Sequence, residues 1–405
     1  MSKSLNTFYL IIGAGIVGLS VAHCLSKITE EKIIIIDKEK YLGAHASGRN
    51  SGVLHAGFYY TPGTLKAKLT KEGNQRLNEY CKEKGLKINE CGKVLVCKNE
   101  KDLEVLKELE NRAVINNVEV HIIDEKQLKE IEPYAKTYKK ALYSPTTAVV
   151  DPKEILNSMA EDAKRSGVIL MRGVKFVNLK NNIAFTSIGK INYKFLINCA
   201  GLYADHIAQK MGIGNNYKIL PFKGIYFSIK DKKSQLVRSN IYPIPNLNLP
   251  FLGVHITKSI NGKLYVGPTA IPALGRENYH LFKNINKEIL EILRYNLWFF
   301  LKNEYNYRRF TFNEIKKYCK YILYKEVSNF VNGISYHDIT NSLKVGIRAQ
   351  LIDIKKKKLI MDFVVKRGEN SVHILNAISP AFTCSIPFAK YVVKTFIMSN
   401  NNWRN

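Results

Sequence analysis

The chain has 405 residues, 46% of them apolar, enough to bury a sizeable core and to build two lobes. Its 62 Lys and Arg against 34 Asp and Glu give a formal charge of +28. The basic residues are spread along the chain, which points to general compositional bias, with attraction of an anionic substrate or lipid as a secondary effect and no nucleic-acid partner. Seven cysteines (Cys24, Cys81, Cys91, Cys97, Cys199, Cys319 and Cys384) are odd in number and lack C-x-x-C or Cys/His metal spacing, so reduced thiols and no metal site are expected.

Residues 1–7 show no basic–apolar–small secretory pattern, which suggests a cytoplasmic protein. They run into Phe8-Tyr9-Leu10-Ile11-Ile12, a short apolar run expected to be a buried parallel strand. Gly13-Ala14-Gly15-Ile16-Val17-Gly18 follows with G-x-G-x-x-G spacing, then apolar residues at helical spacing to Lys27, then a second strand Ile33–Ile36 ended by Asp37. In that context Gly13 permits a tight turn and Gly15 lets a pyrophosphate approach the backbone. Gly18 lets the helix pack on the strand, and the phosphates meet a helix N-terminus. Asp37 stands where an acid holds a ribose hydroxyl. Directly after this dinucleotide-binding unit comes a polar, glycine-rich loop running into aromatics, Ser47-Gly48-Arg49-Asn50-Ser51-Gly52-Val53-Leu54-His55-Ala56-Gly57-Phe58-Tyr59-Tyr60.

Further along, the periodicity predicts helices over 65–84, 102–116 and 152–166, the first and third stopped by Gly85 and Gly167. Strands are expected at 94–97, 168–170, 174–177 and 195–199, the last ending in Ala200-Gly201 before a helix from Tyr203. From 218 to 268 short strands with proline breaks suggest an antiparallel sheet. Residues 283–321 read as two helices. Within them 289–301 is amphipathic and is expected to pack on the core sooner than on a membrane surface. Lys355–Lys358 reads as a solvated hairpin turn. Strand 372–376, a turn at Ser379–Thr383 and a helix from Ser385 close the chain. No apolar run reaches the roughly 20 residues that span a bilayer.

The fold class is therefore α/β with an α+β second lobe: a Rossmann-type nucleotide domain from 1–85, 150–215 and 333–405, and an antiparallel substrate lobe from 86–149 and 216–332. The second glycine loop favours FAD over NAD, since a ribityl chain and tricyclic ring need small residues and N–H groups along their length. The arrangement resembles the FAD-dependent oxidoreductases that include D-amino acid oxidase and glycine oxidase. Gly48–Tyr60, Leu65–Leu69, Cys91-Gly92-Lys93, Val149–Pro152, Asn198–Asp205, Pro250–His255, Gly346–Gln350 and Asn376–Ala381 most resemble its L-2-hydroxyglutarate dehydrogenase/oxidase branch, in the branch's order.

The resemblance implies FAD held by Gly13, Gly15, Ile16, Val17, Gly18, Asp37, Lys38, Ser47, Gly48, Arg49, Asn50, Ser51, Gly52, Val174, Ala200, Gly201 and the terminal turn Pro380, Ala381, Phe382 and Thr383. It implies oxidation of a 2-hydroxy dicarboxylic acid, with oxygen or a quinone reached by peripheral membrane contact as electron acceptor. Candidate catalytic residues are His55 and His255, imidazoles suited to proton transfer, Arg348, whose fork suits a carboxylate, and Lys223. The chain departs from the branch at Pro221-Phe222-Lys223-Gly224-Ile225, where Pro-Phe-Arg-Gly-Glu is usual; if that pair shapes the substrate wall, the preferred acid differs. An amino acid or glycerol 3-phosphate oxidase shares the same frame. A basic RNA-binding flavoprotein would also account for the charge, although no aromatic–basic RNA motif occurs.

Overall fold

The computed structural model describes residues 4–247, 251–280, 283–284 and 286–399. Five parallel strands form the centre of the first sheet, in the order Ile169–Arg172, Ile33–Asp37, Leu5–Ile12, Gly189–Asn198 and Ser371–Asn376. Antiparallel strands Phe176–Lys180, Ile183–Thr186 and Val364–Gly368 extend it. Helices Ile16–Ser26, Leu65–Glu83, Pro152–Arg165 and Ser385–Val392 share one core with this sheet. The fully buried strands read as continuous apolar runs because both faces of a parallel sheet are covered. The Pro152 helix starts as its sequence suggests: Asp151 accepts N–H bonds from Lys153 (2.8 Å) and Glu154 (3.4 Å), with proline in the first turn.

The second sheet has ten strands and is antiparallel except where Asn240–Pro243 meets Lys93–Val96. Its spine is Tyr217–Ile229 paired with Ile339–Asp353 from Tyr217 opposite Asp353 to Ile229 opposite Ile339. Residues 339–359, assigned to the nucleotide domain from sequence, thus belong to the substrate-lobe sheet. The reason is local: Ile339–Asp353 finds its partner in a strand of equal reach, and Lys355–Lys358 turns it back onto Lys358–Leu359 as the expected hairpin. One further difference follows from turn chemistry. Residues 289–328 form three helices, Ile289–Lys302, Tyr307–Lys316 and Lys320–Ser328, the first two separated where Asn303 and Asn306 adopt positive φ. His255 begins the strand His255–Lys258. Three short strands, Val53–Leu54, Ile88–Asn89 and Ala148–Val150, make a small sheet between the two large ones.

One buried ion cluster ties the substrate lobe to the nucleotide domain. Arg276 donates to both oxygens of Asp205 (2.7 and 2.9 Å) and to Glu288 (2.5 Å). Asp205 also accepts the Ile219 N–H at 2.9 Å, so every member is satisfied. None of the seven cysteines is disulfide-bonded, and among the described residues no helix is long and apolar enough to cross a membrane.

Candidate active site

A cleft of about 1040 Å³ runs between the lobes, at the large end of ligand cavities. One part is built by the glycine turn. Gly13 has φ +106°, and a Cβ there would lie 2.4 Å from the Cys199 carbonyl oxygen; at Gly18 it would lie 2.0 Å from the Gly13 carbonyl oxygen. The turn is held by Asp37, whose two carboxylate oxygens accept the N–H groups of Ala14 and Glu39, each at 2.8 Å. Val174 closes this end by donating its N–H to the Asp37 carbonyl at 2.8 Å. Ser47 reaches over the turn, its Oγ accepting the Ile16 N–H at 3.0 Å.

The loop from Ser47 supports itself. Asn50 donates to the Ser47 carbonyl (2.8 Å) and accepts the Gly52 N–H (2.9 Å). Arg49 donates to the Ala44 and Val345 carbonyls and lies 4.2 Å over the Tyr279 ring. Thr383 joins this loop to the terminal turn, its Oγ1 accepting the His55 N–H at 3.2 Å. Helix Leu65–Glu83 presses on the same turn: a Cβ at Gly73 would stand 2.3 Å from the Thr383 carbonyl oxygen. The helix Ser385–Val392 then starts without a side-chain cap, which leaves the partial positive charge of its N-terminus unneutralised beside the cleft.

At the other end stand two imidazoles and two cations. His55 is buried and its Nδ1 has no hydrogen-bond partner among the described residues. Burial holds its pKa well below the usual value, with the positive fields of Lys93 and His255 adding to the effect. His255 is stacked on Tyr242, ring centres 3.7 Å apart. Its Nδ1 lies 2.8 Å from the Gly253 carbonyl, which fixes the proton there and leaves Nε2 as acceptor; burial lowers its pKa to about 3. Both rings are neutral near pH 7. Arg348 packs 5.0 Å over Phe251 and donates to Gln350 at 3.2 Å. Lys66 is 6% exposed and lies near the Tyr60 and Phe363 rings. Burial, then the Arg348 charge, lowers its pKa to about 7 against the opposing field of Asp362. Neither cation has a carboxylate at ion-pair distance among the described residues.

The cleft gathers most of the residues named from sequence: Gly13, Gly15, Ile16, Val17, Asp37, Lys38, Ser47, Arg49, Asn50, Ser51, His55, Val174, Ala200, Gly201, His255, Arg348, Pro380, Ala381, Phe382 and Thr383 all line it. Gly18, Gly48 and Gly52 stand behind the lining and permit close backbone packing; a Cβ would lie 2.3 Å from the Gly43 carbonyl oxygen at Gly48 and 2.4 Å from that of Val150 at Gly52. Lys223 is a correction. It is buried on the strand whose alternate residues Phe222, Gly224 and Tyr226 line the cleft, so its side chain and that of Ile225 point to the opposite face. The Lys223/Ile225 departure therefore leaves the cleft wall untouched.

Three features were missed from sequence. Lys66 signals itself as a lysine inside the buried helical series Lys66, Thr70, Gly73, Leu77, Cys81. Lys93 is fully buried, its amino group 4.7–5.1 Å from the Phe58, Tyr59 and Tyr242 rings with no hydrogen-bond partner among the described residues. Glu277 crosses from the substrate lobe to bond Lys38 (2.6 Å) and Tyr203 (2.6 Å); with Glu39 and His45 it forms an acidic cluster that Lys38 already neutralises. No local pattern marks Glu277, because its partners are more than 70 residues away.

These residues fit a flavin dinucleotide: a glycine cradle that any Cβ would fill, a helix start beside it and an orphaned imidazole nitrogen at the far end. The family model for FAD dependent oxidoreductases matches residues 9–395. The chain is 35% identical to the mitochondrial L-2-hydroxyglutarate dehydrogenase of Caenorhabditis briggsae, covering 96% of this chain and 92% of that one. It is 32% identical to L-2-hydroxyglutarate dehydrogenase of Escherichia coli, covering 97% and 94%. Among solved structures, FAD-bound L-alpha-glycerophosphate oxidase of Mycoplasma pneumoniae superposes with a TM-score of 0.76 at 20% identity, covering 96% and 94%. Glycine oxidase of Geobacillus kaustophilus does so with 0.72 at 14% identity, covering 96% and 94%. The chain belongs to the FAD dependent oxidoreductase family, with FAD as its cofactor.

Proposed function

We propose that this chain oxidises L-2-hydroxyglutarate to 2-oxoglutarate. The observation that carries the reading is the pair Arg348 and Lys66, which have no carboxylate at ion-pair distance among the described residues and face the same cleft as two neutral imidazoles. A half-buried guanidinium and a buried ammonium repel each other and are costly without counter-charge; a dicarboxylate supplies two. The relatives named for L-2-hydroxyglutarate across nearly the full chain support the same acid, and the departing positions Lys223 and Ile225 face away from the cleft.

FAD, held along the Gly13–Gly18 turn, the Ser47–Gly52 loop and the 380–383 turn, supplies the hydride acceptor. The chain's own residues do the rest. Arg348 holds one carboxylate by its planar fork and Lys66 provides the second positive charge. His55, tied through its backbone N–H to Thr383 of the cofactor turn, accepts the proton of the 2-hydroxyl. His255, with its tautomer fixed, and Tyr242 wall the opposite side. Oxygen or a membrane quinone then takes the electrons. Steady-state dye reduction by the FAD-loaded protein tests the reading. L-2-hydroxyglutarate is expected to exceed D-2-hydroxyglutarate, L-amino acids and glycerol 3-phosphate in kcat/KM by at least two orders of magnitude; higher turnover of an amino acid or of glycerol 3-phosphate contradicts it.

A further inference from the structure

Between the strand Ile271–Pro272 and the helix Ile289–Lys302 the substrate lobe sends a segment without helix or strand across to the nucleotide domain. The segment is folded by its own contacts. Asn278 donates to the carbonyls of His280 (2.6 Å) and Lys283 (2.8 Å), and a Cβ at Gly275 would stand 2.8 Å from the Asn284 carbonyl oxygen. Three of its residues reach the loops that follow the strands Ile33–Asp37 and Gly189–Asn198, at the carboxyl ends where such sheets bind their ligands. Arg276 donates to the Leu202 carbonyl and to Asp205. Glu277 accepts from Lys38 and from Tyr203, each at 2.6 Å. The Tyr279 hydroxyl lies 2.7 Å from His45 Nδ1, and its ring carries the Arg49 guanidinium at 4.2 Å. Lys38, His45, Arg49, Tyr203 and Glu277 itself line the cleft.

These contacts are of two kinds. The Arg276 side chain is 3% exposed and that of Asp205 fully enclosed. Parting them would leave charges unpaired in the interior, which is costly. The side chains of Lys38, Glu39, His45 and Glu277 are instead 23–32% exposed, so water replaces a lost partner at little cost. Burial disfavours the charge on Lys38, yet its bonds to Glu277 and Glu39 raise its pKa. At Glu277, too, burial is outweighed by the bonds from Lys38 and Tyr203, which hold its carboxyl below the usual range. The contact is therefore ionic at neutral pH. A fixed anchor and a releasable tip stand within four residues, on the rim of a cleft that has to admit a dinucleotide.

We propose that residues 276–279 are a retaining clamp for FAD. Arg276 anchors the segment, and the tip formed by Glu277 and Tyr279 opens to admit the cofactor, then closes on Lys38, Tyr203 and His45. Glu277 is a positioning residue: it fixes Lys38 and Tyr203 on the cleft wall and joins the substrate lobe to the nucleotide end. The clamp does not depend on which acid is oxidised.

The rate at which full-length holoenzyme releases FAD on dilution, followed by the fluorescence of free flavin at low and high salt, tests the clamp. Release from the parent should be slow and should quicken with salt, which screens a partly exposed ion pair. E277A should release FAD about ten- to a hundredfold faster, as expected for two bonds to a charged group, and with a weaker salt dependence than the parent. E277Q still accepts both bonds but carries no charge, and should fall between the two. Y279F loses one hydroxyl bond and should quicken release about two- to tenfold. The thermal midpoint of each apoprotein should stay close to the parent's, because partly exposed pairs add little to the fold. Parent-like release from E277A, or faster release with the parent's full salt dependence, overturns the proposal. So does faster release matched by a lowered apoprotein midpoint, which would make the segment ordinary packing between the lobes. If E277A yields no folded protein, E277Q and Y279F decide by the same readings.

Discussion

Replacing Arg348 by Met keeps the length and most of the volume of the side chain and removes only the charge and the fork. If Arg348 anchors a substrate carboxylate, its loss leaves that carboxylate enclosed without its partner. This costs about 2–5 kcal/mol, or roughly 30- to 3000-fold in kcat/KM at tenfold per 1.4 kcal/mol. The same change has the opposite sign for stability. The substrate-free protein offers Arg348 a glutamine, an aromatic face and, among the described residues, no carboxylate at ion-pair distance. Burial lowers its pKa from 12.5 to about 10, a penalty on the order of 2 kcal/mol after allowance for its partial exposure to the cleft. R348M should therefore raise the thermal midpoint of the ligand-free holoenzyme while crippling turnover. Dye-coupled kinetics and thermal unfolding at one scan rate measure the two effects. A variant that unfolds at lower temperature and keeps its kcat/KM refutes the reasoning, because Arg348 would then be a structural contact.

Other perturbations separate the remaining roles. K66M should raise KM for L-2-hydroxyglutarate far more than for a monocarboxylic 2-hydroxy acid, measured by steady-state kinetics on both. K93M removes the cation that depresses His55 and His255, so the acid limb of the kcat/KM profile should move to higher pH; an unmoved limb contradicts the electrostatic role. Acid stability carries a sign. His55, His255 and His373 have folded pKa values below 6.5, the latter two at about 3 and 4. The stability is fully present above pH 6.5 and is lost as pH falls toward those values, because the unfolded chain binds the protons first. About 3–4 kcal/mol should vanish between pH 7 and 5.5 in urea titrations, and H255N should remove about a third of that loss. G73A places a methyl group against the Thr383 carbonyl, so FAD should be retained less tightly, as read by flavin release on dilution.

The nucleotide half was legible because its information is local. Strand, glycines, helix, strand and acid occur within 30 residues, and each glycine answers a contact a few residues or one strand away, as Gly18 does with Gly13. The substrate end was legible only in part. His55, His255 and Arg348 were found by residue type, whereas Lys223 was misplaced because a motif gives the strand but not which face its side chains take. One residue of register separates the buried Lys223 from the cleft-lining Phe222. Lys66 could have been found as a lysine within a buried helical series, whereas Lys93 and Glu277 were invisible for another reason: their partners, Tyr242 and Lys38, come from distant segments, and only the packing of the chain brings them together. The amphipathic 289–301 stretch was expected to pack on the core sooner than on a membrane surface; its Ile292–Phe299 side does pack there, and Leu290, Leu293, Leu297 and Leu301 on the other side are exposed.

The most direct test of the central claim is a single anaerobic turnover. FAD-loaded protein mixed with one equivalent of L-2-hydroxyglutarate should bleach its flavin absorbance and yield an equal amount of 2-oxoglutarate, with H55N slowed by orders of magnitude. Unchanged absorbance with L-2-hydroxyglutarate, alongside bleaching by an amino acid or glycerol 3-phosphate, would contradict the account.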